Sequence, residues 1–278
     1  MSVHESFLVY RGFRFLKAAS ALAGLSLLAY IAYDPMGPHN GGTWLGYTLG
    51  TIGAGLIVWL LLLGVRKRQY DKGAVKLQAW VSAHVYLGLS LLVVGTLHTG
   101  FQFGWNVHTL AYALMVIVIL SGAFGIYAYA RYPVLMTANR GGQTLDFMLR
   151  ELAELDRQAR ETALTLGDEF ADAVRSSQDN THIGGSAWRQ MSARHNDCAT
   201  AAAARRVDEL ARNAPSERTE DAARLLAILR KKCDLLARVR RDIQLKALMD
   251  AWLYLHIPLS VALVVLLAIH IIAVFFYW

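Results

Sequence analysis

The chain has 278 residues, of which 55% are hydrophobic, with a formal net charge of +7 and a mean hydropathy of +0.33. That balance is too apolar for an ordinary soluble domain. Its Lys and Arg residues lie beside the apolar blocks and form no aromatic-interleaved basic stripe, which points to a membrane surface and excludes nucleic acid as the partner.

A bilayer core of about 30 Å takes about 20 apolar residues of helix. Five segments meet that requirement: residues 13–33, 44–65, 77–99, 107–130 and 251–278. Backbone polar groups find no water in hydrocarbon, so each segment is predicted as a helix. The expected fold class is all-α, a bundle of five transmembrane spans with an inserted helical domain. The first apolar block is too long for a signal-peptide core and lacks a clean small-residue cleavage site, so it is expected to be retained.

The connections set an expected orientation. Arg11, Arg14 and Lys17 flank the first span, Arg66, Lys67, Arg68, Lys72 and Lys76 lie between the second and third, and Arg131 follows the fourth. Residues 34–43 and 100–106 contain no Lys or Arg. The positive-inside rule then places the N-terminus and the polar stretch in the cytoplasm and Trp278 on the opposite side. The terminal run Phe275, Phe276, Tyr277 and Trp278 reads as an aromatic interface anchor. The absence of an organelle transit pattern points to a bacterial inner membrane.

The polar stretch divides the chain into a membrane portion at 1–130, a cytoplasmic insert at 131–250 and a last span at 251–278. Within the insert, Leu145, Met148, Leu149, Leu152 and Leu155 recur at helical spacing. A second helix is expected over 187–213, with Pro215 and Ser216 marking a break and restart. No Pro or Gly occurs over 218–250, so the following helix is expected to run into the fifth span. A solvated helical hairpin or bundle that docks a partner accounts for this composition. Cys198 and Cys233 belong to no C-x-x-C pair, and no C-x-x-C-H occurs, which excludes covalent c-type haem. Both are expected to be reduced thiols.

Four of the nine histidines share one pattern. His84 and His98 lie on the third span, His256 and His270 on the fifth, and each pair is fourteen residues apart. Fourteen residues are nearly four turns, so both members face one side, about 21 Å apart along the axis. Both spans are odd-numbered and run in the same direction, which brings His84 opposite His256 and His98 opposite His270. A lone intramembrane histidine usually marks a polar contact or a proton path. Four in register at matched depth fit the axial ligands of two stacked, non-covalent b-type haems. His108 opens the fourth span near His98 and is a second candidate ligand at that end. With Gln102, Trp105 and Asn106, it is also a candidate donor to haem propionates. Lys76, Arg131 and the cluster from Arg66 to Arg68 are candidate donors at the other end. Gly46, Gly50, Gly53, Gly55, Gly122 and Gly125 either admit a flat macrocycle or serve close helix packing. Pro258 removes the backbone donor that would reach Tyr254, and it either bends the fifth span near His256 or is a tolerated kink. His4, His39, His182 and His195 lie in polar segments and are assigned no role.

The arrangement H84-x13-H98 with H256-x13-H270 resembles respiratory cytochrome b and ferric-reductase-like membrane domains, and its third-and-fifth-span placement is most similar to the ferric reductase and NADPH oxidase group. The stretch Trp252-Leu-Tyr-Leu-His256-Ile-Pro258 is similar to integral cytochrome b subunits. The resemblance covers the last three spans and implies two haems without specifying a substrate. This chain departs from the pattern in having five spans, a helical insert and no flavin or nicotinamide domain after the last span. The expected function is therefore transmembrane electron transfer as the membrane subunit of an oxidoreductase. Its expected partners are lipid, a soluble iron–sulfur, flavin or c-type cytochrome subunit, and a quinone. A self-contained quinol-coupled oxidoreductase and a haem-free membrane scaffold are the alternatives.

Overall fold

The computed structural model describes residues 7–68, 76–192, 198–213 and 215–276. Among them all regular secondary structure is helical. Five helices are long and apolar enough to cross a membrane, the architecture of a multi-pass membrane protein. The chain forms two compact units, Met1–Tyr127 with Trp252–Trp278, and Ala128–Ala251.

The first unit contains α1 (Tyr10–Ala32), α2 (Trp44–Arg68), α3 (Leu77–Thr99), the first part of α4 (Val107–Arg140) and the last part of α9 (Thr219–Phe276). The backbone at Arg11, Gly12 and Phe13 is left-handed, so the regular part of α1 begins after Phe13. Helix α3 packs along both α1 and α2. Its buried face includes Ala79, Ser82, Ala83 and Ser90, small residues that let neighbouring backbones approach. Ile57, Leu91, Met115 and Leu263 join α2, α3, α4 and α9 in one apolar cluster. Near the opposite end of α3, Leu49, Val94 and Leu97 pack with Leu22 and Tyr30 of α1. Other large apolar side chains, among them Leu25, Ile31, Leu120, Ile272 and Phe275, turn outward. Water penalises such a surface; hydrocarbon does not, and these faces are the lipid contact.

Gly100 closes α3 in the left-handed conformation, with φ 57°. A Cβ there would lie 2.1 Å from the carbonyl oxygen of His39. Glycine is therefore required twice, by the backbone conformation and by the close approach of the 34–43 connection. Gln102 Nε2 donates to the same His39 carbonyl at 3.1 Å, which ties this connection to the one after α3.

The second unit comprises the remainder of α4 and α9 with α5 (Leu145–Leu166), α6 (Asp168–Asn180), α7 (Ala187–Ser192) and α8 (Ala199–Arg212). Thr144 caps α5 by accepting from Phe147 N at 3.1 Å. Apolar stripes at helical spacing meet in one core that includes Met148, Leu152, Leu155, Val174, Leu229 and Leu236. Lys232 is 2% exposed and donates to Asp156 at 2.5 Å and to Ser177 Oγ at 3.1 Å. Arg140 holds the buried Asp242 through two hydrogen bonds, at 2.8 and 2.7 Å. Cys198 and Cys233 are free thiols.

Three sequence expectations change. The helix expected over 187–213 is two helices, because Cys198 is extended (φ −77°, ψ 103°) and α8 starts only at Ala199. The helix over the fourth span continues through Pro133 to Arg140 instead of ending at 130; Gly141 and Gly142 then take positive φ and end it. Helix α6 was not anticipated; Gly167 at φ 111° separates it from α5. The helix expected to run into the fifth span does so, as α9, which passes through Pro258 without interruption. His4, Lys72, His195, Tyr277 and Trp278 lie outside the described residues.

Candidate functional site

Helix α3 carries His84 and His98, and the membrane part of α9 carries His256 and His270. The rings of His98 and His270 face one another with centroids 6.0 Å apart and planes 88° to each other. His84 and His256 lie within electrostatic reach of each other. The two helices therefore run in the same direction with their histidines level.

Each of the four rings is held through the same atom. His84 Nδ1 lies 3.1 Å from the carbonyl oxygen of Leu60, and His98 Nδ1 lies 2.8 Å from that of Gly46. Both acceptors belong to α2 and are themselves fourteen residues apart. A carbonyl only accepts, so both rings carry their proton on Nδ1. His256 Nδ1 lies 2.6 Å from Ser121 Oγ, and the Ser121 hydroxyl donates to the Val118 carbonyl at 2.8 Å. The serine oxygen thus accepts from His256, again at Nδ1. His270 Nδ1 meets His108 Nδ1 at 2.6 Å. With Nδ1 occupied, Nε2 is the nitrogen left for a metal.

Close packing fixes these rings further. A Cβ on Gly50 would lie 2.7 Å from His98 Cε1. Trp252 stacks on His256 with centroids 5.2 Å apart and donates through Nε1 to the Ser121 carbonyl at 2.7 Å. A Cβ on Gly125 would sit 2.1 Å from the Trp252 ring. A Cβ added at Gly46 would run into the backbone of Asn40 and Gly41, one at Gly53 would touch Leu91 and Val94, and one at Gly122 would lie against His256 Cε1. A Cβ added at Gly55 would meet nothing within 4 Å beyond its own helix backbone. In this family of glycines, the close contacts are to rings and backbone.

His98, His108 and His270 line a cavity of about 1240 Å³. Its walls are largely apolar, with Leu91, Leu263 and Leu267 among them, and none of its described lining residues is Asp, Glu, Lys or Arg. Gln102 and Asn106 line it as well. Each already has a bond: Gln102 with His39, and Asn106 Oδ1 with Thr109 N at 2.9 Å, capping α4. Trp105 is fully exposed. At the other end, Arg66, Lys67 and Arg68 form the last turn of α2, Lys76 precedes α3, and Arg131 belongs to the second unit. Among the described residues no three His, Cys, Asp or Glu side chains converge as a chelating group.

Ser121 and Trp252 went unassigned in the sequence. The signals were a hydroxyl beside Gly122 in an apolar span and a Trp one helical turn before His256. The acceptors at Gly46 and Leu60 left no side-chain signal, being backbone. Comparison with protein families, curated proteins and solved structures finds no match.

Proposed function

We propose that this chain is a transmembrane electron carrier holding two non-covalent b-type haems, one between His84 and His256 and one between His98 and His270. The observation that carries the proposal is the shared anchoring of four imidazoles at Nδ1, which directs Nε2 to the ligand position. Two imidazoles that shared one metal through bonds of about 2 Å would have their centroids roughly 6 Å apart. The 6.0 Å separation of His98 and His270 suits that geometry.

When bound, the haem iron supplies the one-electron couple. The chain's own residues do the rest. His84 with His256 and His98 with His270 would hold the two groups, and an iron held by two histidines would favour electron transfer over oxygen binding. The carbonyls of Gly46 and Leu60 and the hydroxyl of Ser121 fix ring orientation and raise ligand basicity. The largely apolar wall of the cavity would suit a flat apolar group. Groups held at the two levels, about 21 Å apart along α3 and α9, would lie in opposite halves of the bilayer.

The basic connections support an N-terminus and second unit on the cytoplasmic side, with the C-terminus opposite, and the membrane in this scheme is a bacterial inner membrane. A soluble iron–sulfur or flavin subunit docks on the second unit in this scheme, and a quinone or a c-type cytochrome serves the opposite face. A quinol-coupled enzyme complete in itself is the second reading, and it needs room for a quinone beyond the cavity that His98 and His270 line. Reduction of the purified chain by a quinol analogue alone distinguishes that case.

A pyridine haemochrome assay with protein quantitation tests the proposal. Two b haems per chain are expected, and His98→Ala and His256→Ala should each lose one. Retention of both haems in both variants would refute the ligand assignment. Colourless protein from haem-replete cells would leave a membrane scaffold as the better account.

A further inference from the structure

His84, His98 and His256 are anchored by groups that do not ionise, two backbone carbonyls and a serine hydroxyl. His270 is different, because its Nδ1 meets the Nδ1 of a fifth histidine at 2.6 Å. The two rings stand nearly perpendicular, with centroids 4.6 Å apart. His108 is exposed at the start of α4, whereas His270 is half-buried on α9.

A neutral imidazole that binds iron through Nε2 keeps its proton on Nδ1. Two rings bound in that way would present two donors to each other and could not meet Nδ1 to Nδ1. In this arrangement only one of them is a ligand through Nε2. His270 faces His98 at 6.0 Å and shares its helix and its fourteen-residue spacing with His256. We propose that His108 is a positioning residue for His270: neutral, it accepts the Nδ1 proton of His270 and carries its own proton on Nε2. It thereby holds His270 in the tautomer that presents Nε2 to the metal. This inference rests on the two-haem proposal and gives His108 a role other than propionate donor or replacement ligand.

The consequence is an asymmetry between the two haems. An imidazole nitrogen is a better acceptor than a helix carbonyl or a hydroxyl that is already donating. His270 is therefore the most electron-rich of the four ligands, which favours the oxidised iron at its site. Removing His108 raises the midpoint potential of that haem and leaves the other where it was.

The experiment compares His108→Ala, His108→Gln and His270→Ala in the full chain, purified from haem-replete cells. Haem per chain, the ferric low-spin EPR signals and the midpoint of each haem are measured. His108→Ala should keep both low-spin signals, raise one midpoint and weaken retention of that haem by about 10- to 100-fold. His108→Gln, whose side-chain carbonyl accepts the proton, should return the midpoint most of the way. The second haem reports that each variant has folded. Unchanged midpoints in His108→Ala would overturn the inference. So would loss of a low-spin signal in His108→Ala with both kept in His270→Ala, because His108 would then be the ligand. Wild-type protein without haem would remove the two-haem proposal itself, a result read before any variant is compared.

Discussion

The imidazole of His98 occupies space that only a glycine on α2 leaves open. A Cβ at Gly50 would come within 2.7 Å of His98 Cε1, a contact that forces the ring to move. Overpacking of this kind costs about 1–3 kcal/mol, and the displaced ring also loses its bond to the Gly46 carbonyl. If the chain holds haem as proposed, Gly50→Ala should therefore lower haem content at one site while Gly55→Ala, whose added Cβ meets nothing within 4 Å, leaves it unchanged. Equal haem in the two variants would show that Gly50 does not hold the ring. The equal spacing of the histidines was legible because it needs only side-chain identity and the helical repeat. Their anchors were mostly illegible: Gly46 and Leu60 act through carbonyls that every residue has, and Ser121 gained its meaning only from the proximity of His256.

Among the elements, α5 and α9 are joined within the second unit by an ion pair of unequal burial. Lys232 is 2% exposed and Asp156 is 32% exposed. Asp156 can turn to water if its partner is removed; the ammonium cannot. Asp156→Ala strands a buried charge and should cost about 3–5 kcal/mol. Lys232→Met, which keeps the apolar stem and removes the charge, should cost much less. Urea or thermal unfolding followed by far-UV circular dichroism checks this order, and the reverse order would mean that Lys232 contributes through its hydrogen bond to Ser177 more than through Asp156. Helix ends were the least legible feature at this scale. The fourth span is expected to end at 130, yet α4 continues through Pro133 to Arg140, where Arg238 donates to the carbonyls of Asn139 and Arg140 at 2.9 and 2.6 Å. A tertiary partner there supplies what the local sequence lacks.

Taken as a whole, the molecule carries five helices apolar enough to cross a bilayer, and large aliphatic and aromatic side chains cover their outward faces. Such a surface should hold the protein in the membrane fraction through an alkaline carbonate wash and release it only with detergent. Release by carbonate alone would show that the outward faces meet protein instead of lipid. The five spans and the register of four histidines are properties of the sequence by itself, because hydrophobic length and the 3.6-residue repeat are local quantities. The anchoring of the rings at Nδ1, the role of Gly50 and the pairing of His108 with His270 were decided only by tertiary structure. Each depends on which helix faces which and at what depth, and hydrogen bonds and steric contacts at 3 Å carry no signature in the order of residues along the chain.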